Sequence, residues 1–149
     1  MSTRDGGSKH NNSTFFRVDS DFNKTYKLEN LVSVMYEQDH VPNWDPMISH
    51  NEFHPLKDGD KTIGTNWTKH HRIMHMSSRD YCDKMINFYH NGKFYHYQTS
   101  IPACECDKVK ELNGDVVRGT TIYNIGMIHR DEESGKLHYH GLIQLDCKV

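Results

Sequence analysis

The sequence has no long apolar run. None of its 149 residues lies in a stretch approaching the roughly 20 residues that a membrane-crossing helix needs. Apolar residues make up only 35%, low for a chain that must bury a core. The N-terminus is polar throughout, so there is no secretory signal to read. Charge of one sign is not in excess either: 18 basic and 20 acidic residues give −2, and no basic stripe invites nucleic acid. Also missing are a Cys-x-x-Cys pair, a glycine-rich phosphate loop, a nucleophile elbow and any internal repeat. The four cysteines (Cys82, Cys104, Cys106, Cys147) read as reduced thiols of a cytoplasmic protein. Without secretion, the sequons at Asn11, Asn12, Asn23 and Asn66 are only strings.

Aromatics, at 11%, and twelve histidines are what the chain does have. Protonating every histidine would add twelve charges and move the net from −2 to +10. A chain of this length makes one domain. Residues 1–13 are Gly, Ser, Asn and charge, and are expected to be a disordered tail before a domain over 14–149.

The centre of that domain is a hairpin. Residues 77–89 and 94–100 read as strands around His90-Asn91-Gly92-Lys93, and Asn-Gly between two such runs is the strongest short hairpin signal. Further strands are expected over 14–22 (with a polar turn at 19–21), 48–56, 62–71, 116–125 and 137–147. One helix stands out, because Leu28, Leu31, Val32, Met35 and Tyr36 fall on one face. Thr25 is its expected N-cap, and Pro42 limits it beyond His40. Trp44, between Pro42 and Pro46, is expected to bury its indole and pin the helix end to the sheet, with Asp45 accepting hydrogen bonds locally. Residues 101–114 form a long loop. A helix followed by a meander of long strands predicts an α+β domain, a curved antiparallel sheet with helix packed on it.

In order along the chain, Trp44-Asp45 at a helix exit, Ser78-Arg79-Asp80-Tyr81 opening a strand and Ser100 ending the next form a series. Val116-Val117-Arg118 after a long loop and Leu145-Asp146 in a final strand complete it. This series resembles the START lipid-transfer domain over residues 15–149. The resemblance implies a helix-grip fold with a tunnel for one hydrophobic ligand such as a phospholipid, sterol or ceramide, and a lipid carrier or sensor rather than an enzyme. A curved sheet cannot fill its own concave face, and adaptable methionine and aromatic side chains would suit a lipid.

Strand alternation under that register points Tyr81, Asp83, Met85 and Asn87 into the tunnel, together with Asn66 of the preceding strand. A local reading of that strand would bury Ile63 and Trp67 instead, and a bulge would reconcile the two. Sterol-carrying relatives place a buried arginine and an acidic residue where this chain has Met85 and Asn66. The resemblance therefore implies an acyl-chain phospholipid more than a sterol. Arg79 and Asp80 are expected to act as a charged pair locking the strand start against the preceding turn, with ligand contact as the lesser reading. Arg118, mid-strand among apolar neighbours, needs an anionic partner: a cross-strand carboxylate, or a lipid head group in the tunnel.

Two other functions remain open in the sequence. His138 and His140 share a strand face, with His70, His71 and His75 close together elsewhere, but a zinc site needs more ligands and a second shell. Surface histidines and no metal or cofactor are the expectation. A helix-grip enzyme on a small apolar substrate would need an acid–base set, for which Asp83 with a tunnel histidine or tyrosine is the best candidate. START domains close their tunnel with a C-terminal helix, and only Lys148 and Val149 follow the last strand here. The domain is thus expected to be incomplete at both ends, with an open groove that contacts membranes transiently or self-associates.

Overall fold

The structure is a computed structural model that describes residues 13–72, 74–102 and 116–147. Residues 1–12 of the expected 1–13 tail and most of the 101–114 loop lie outside the described residues, and Ser13 belongs to a strand. In chain order the elements are β1 (Ser13–Phe22), α1 (Leu28–Tyr36), α2 (Val41–Trp44), β2 (Ile48–Pro55), β3 (Ile63–His70), β4 (Arg79–His90) and β5 (Lys93–Ser100). Then come β6 (Val117–Arg118), β7 (Thr120–Arg130) and β8 (Leu137–Asp146). The strands make one sheet in the order β1-β8-β7-β5-β4-β3-β2, with β6 beside β4. Every pairing is antiparallel except the short β4–β6 contact.

The β4–β5 hairpin forms where expected. Asn91 and Gly92 take φ of 48° and 72°, the two positive values that a tight turn matching the strand twist requires. The apolar stripe of α1 also lands as read. Tyr36 is buried with Phe94, Ile128, Leu137 and Tyr139, while Phe22, Leu28, Leu31, Val32 and Met35 pack around them. This core sits where α1 crosses β5, β7 and β8. Facing glycines, Gly126 and Gly141, make room under the helix: a Cβ at Gly126 would overlap the Tyr36 hydroxyl.

Several expectations are corrected. Trp44 is 49% exposed, not buried. α1 does end before His40, at Tyr36, and Pro42 also opens a second turn of helix, because its missing N–H costs nothing in a first turn. That turn puts Val41 inside and swings Trp44 outward, where its Nε1 donates to the Val34 carbonyl at 2.8 Å. The indole thus ties α2 to α1, not helix to sheet. Thr25 does not cap α1, whose N-cap is Lys27. The Thr25 N–H is instead taken by Asn23 Oδ1 at 3.1 Å, a local Asx bond competing with the cap. β1 runs unbroken through the expected turn at 19–21, held by β8 along its whole length. The expected strand over 116–125 is two pieces, β6 and the longer β7.

The conflict over Asn66 and Trp67 needs no bulge. β3 and β4 pair in regular register, and both side chains are buried on opposite faces. Ile63, at the open end, is 37% exposed. The sequence pattern fails here because β3 is covered on both sides at one end only. Cys82 is disulfide-bonded, against the expectation of four reduced thiols, and Cys147 is free. The thiol argument for the cytoplasm therefore lapses. No helix among the described residues is long and apolar enough to cross a membrane.

Candidate functional site

Beside the α1 core, the concave face leaves a cavity of about 320 Å³. α1 and α2 roof it with Met35, Tyr36, Val41 and Trp44, and the sheet floors it from β2 across to β8. Alternation decides which side chains face it. On β4 the odd residues Tyr81, Asp83, Met85 and Asn87 point to the concave side and are all buried. Register then lines up neighbours: Asn66 of β3 faces Asp83, which faces Ser100 of β5, and Met85 faces Gln98.

The floor is more polar than a tunnel of methionines and aromatics. Asp83, 1% exposed, accepts from Ser100 Oγ at 2.7 Å, Gln98 Nε2 at 2.6 Å and Thr121 Oγ1 at 2.8 Å. Burial pushes its carboxyl above the ordinary carboxylate range, opposed by these three hydrogen bonds. Gln98 Oε1 lies 3.1 Å from His96 Nε2 and the Asn87 amide oxygen 2.5 Å from His96 Nδ1, two acceptors for the one N–H of a neutral ring. His96, its ring centroid 4.5 Å from that of Tyr36 and its plane tilted by 35°, is driven down by burial to about 4 and is neutral at physiological pH. A second cluster joins β3 to β2: Asn66 Nδ2 donates to Thr68 Oγ1 at 2.8 Å and Asn51 Oδ1 at 3.0 Å. Asn51 Nδ2 donates on to the Gln38 carbonyl at 2.9 Å. Asn66 Oδ1 alone in this cluster is buried without a hydrogen-bond partner among the described residues. Apolar cover comes from Met35, Val41, Ile48, Ile143 and Leu145.

Of the residues read as tunnel lining, Asn66, Tyr81 and Asp83 do line the cavity. Met85 and Asn87 share their face but lie outside its wall, with Met85 opposite Gly64 and Asn87 holding His96. Arg118 is on the other face of the sheet. Its Nε and Nη2 grip the two oxygens of Asp80 at 2.8 and 2.9 Å, and Asp80, 0% exposed, also accepts from Trp67 Nε1 at 2.9 Å. The cross-strand carboxylate is therefore the arginine's partner, and no head group is required. Arg79 and Asp80 do not pair, because neighbours on a strand point apart. Arg79 Nε donates to the Cys147 carbonyl at 2.7 Å and Nη1 to the Ser77 carbonyl, closing the strand start against the end of β8. Trp44 and Asp45 stand at the cavity rim, and Asp45 Oδ1 accepts the Met47 N–H at 2.9 Å, the local bond expected of it. Sequence reasoning missed Asn51, His96, Gln98 and Thr121. Alternation on β5, applied from Ser100 backwards, would have found Gln98 and His96.

No family model matches the sequence, and no curated protein resembles it closely enough to be matched. Solved structures do match in shape. Human STARD10 superposes with a TM-score of 0.70 at 14% identity, covering 92% of this chain and 52% of that one. The lipid transfer and protein localization domain of human StarD13 (DLC2) gives 0.68 at 15%, covering 91% and 64%. The fold is that of the START domains. Human StAR-related lipid transfer protein 5 gives 0.64 at 14%, covering 89% and 61%. The present chain thus spans between half and two thirds of these START structures, and the helix-grip architecture is common to all.

Proposed function

We propose that this START-fold chain binds one lipid, an acyl-chain lipid in preference to a sterol, in the cavity between α1, α2 and the sheet. The observation that carries the proposal is the division of that cavity: amides and hydroxyls on one part of its floor, and apolar cover from Met35 and Val41 of the roof with Ile143 and Leu145 of β8. An amphiphile is matched by such a site, its polar end on the floor and its hydrocarbon under the roof. The named activities of the structural neighbours, lipid transfer above all, support the same reading.

The floor also bears on which lipid. Its single carboxylate has both oxygens taken, Oδ1 by Ser100 and Oδ2 by Gln98 and Thr121. It therefore acts as a brace, and its saturation argues against an acid–base enzyme in the same cavity. Asn66 Oδ1 is the group left to meet a donor on the ligand, which the ammonium of a phosphatidylethanolamine supplies and a choline head group does not. The cavity, about 320 Å³ and open on one side, is at the small end for a ligand site, so a long chain extends over the open side of the sheet. There Phe16 and Val18, 47% and 38% exposed, continue the apolar surface, and they suit transient contact with a membrane or with a second copy.

Competition between fluorescent phosphatidylethanolamine and cholesterol on the full chain tests the preference. Phosphatidylethanolamine should displace the sterol, and Asn66→Leu should weaken its binding several-fold. A tenfold preference for cholesterol would overturn the reading.

A further inference from the structure

On the face of the sheet opposite α1, away from the cavity, three histidines meet. His129 of β7 lies directly across from His138 of β8, and His140 follows two residues on. Ring centroids are 5.5 Å apart for His129–His138 and 5.3 Å for His129–His140, with the planes within 18° of parallel. Strand β1 supports both β8 rings from behind. Asp21 Oδ1 is 2.6 Å from His138 Nδ1, and Asp19 Oδ1 is 2.7 Å from His140 Nδ1. A carboxylate on Nδ1 holds the ring proton there and leaves the Nε2 lone pair for another partner. His138 Nε2 is buried with no hydrogen-bond partner among the described residues, and His140 Nε2 stands 3.2 Å from His129 Nε2.

We propose that this cluster is a binding site for a divalent transition metal such as zinc, with His129, His140 and then His138 as Nε2 ligands and Asp19 and Asp21 as their orienting carboxylates. The spacing suits the first two. Nitrogens about 2.0–2.1 Å from zinc at a tetrahedral angle stand about 3.3 Å from each other. The third ring is not yet in place: His138 and His140 centroids are 6.4 Å apart, and no set of three or more ligating residues among those described already surrounds a metal position. His138 must turn to join, and its orphaned Nε2 gains a partner by doing so. A hydrogen bond between imidazoles explains the His129–His140 contact, but it leaves His138 Nε2 unsatisfied. Charge also fits: two aspartates behind the imidazole rings suit a dication, although Arg17, 2.9 Å from Asp19, offsets part of that field. The site is independent of lipid binding.

Isothermal titration of the full chain with zinc chloride in chelator-free buffer should give one zinc per chain with micromolar affinity. His129→Gln, His140→Gln and His138→Gln should each weaken it at least tenfold, and Asp19→Asn by a similar factor. His50→Gln on β2 should leave it unchanged. Titrating the unmodified chain while following histidine nitrogen resonances should move the Nε2 signals of the same three rings. No binding at millimolar zinc, or binding unaltered by the β7 and β8 variants, would overturn the proposal; an unaffected His138→Gln would remove the third ligand.

Discussion

At the scale of single residues, burial separates side chains that sequence pattern treats alike. The two tryptophans show it. Trp67 is buried against Cys82 and Ile101, so Trp67→Ala should cost about 3–5 kcal/mol. Trp44 is half exposed and holds one hydrogen bond, so Trp44→Ala should cost about 1–2 kcal/mol. Urea titration of both variants checks the contrast, and equal losses would mean the α2 turn is misplaced. Arg118→Met strips a fully buried Asp80 of its counter-ion and should cost about 3–5 kcal/mol, part of which Asp80→Asn in the same chain should restore. His96 gives the pH dependence its direction. Its folded value of about 4 is below the ordinary 6.5, so between these values the unfolded chain takes up the proton and the folded chain does not. Stability contributed by neutral His96 is complete above the unfolded value and falls on acidification, by about 2 kcal/mol from pH 7 to pH 5. His96→Asn should flatten that slope when denaturation is followed across the range. A slope unchanged in the variant would show that other groups set it.

At the scale of elements, what was legible in the sequence had a period or a turn to announce it. The Asn91-Gly92 turn, the five-residue stripe of α1 and the alternation on β4 each carried their own geometry, and each is found. Pairings between distant segments had no such signal. That Arg118 meets Asp80 depends on a two-residue strand lying parallel to β4, which no local pattern marks. That His129 meets His138 and His140 depends on the β7–β8 register, so three histidines read as ordinary surface instead form a ladder. The cavity floor was half readable: Asn66, Tyr81 and Asp83 followed from β4, whereas Asn51 and Thr121 come from strands whose placement only the folded sheet fixes. Docking of α1 gives a test at this scale. Gly126→Ala should push Tyr36 off the sheet, costing about 1–3 kcal/mol and loosening the cavity roof. Hydrogen exchange should then rise in α1 before it rises in β4 and β5. Uniform loosening would mean that α1 is not a separate layer.

At the scale of the whole molecule, the sheet presents two faces with different chemistry: an amphiphilic cavity under the helices, and the histidine ladder opposite. The open side of the cavity exposes Phe16 and Val18 on the edge strand β1. If lipid reaches the cavity over that edge, the chain should float with phosphatidylcholine liposomes, and Phe16→Ser with Val18→Ser should reduce flotation several-fold without changing stability in urea by more than about 0.5 kcal/mol. The claim on which the account rests is that one lipid occupies the cavity. Native mass spectrometry of the full chain after incubation with mixed liposomes measures this most directly, with Ile143→Trp as the variant that fills the space. One lipid adduct per chain is expected, lost or much reduced in Ile143→Trp. A chain that carries no lipid, or an adduct that Ile143→Trp leaves untouched, would contradict it.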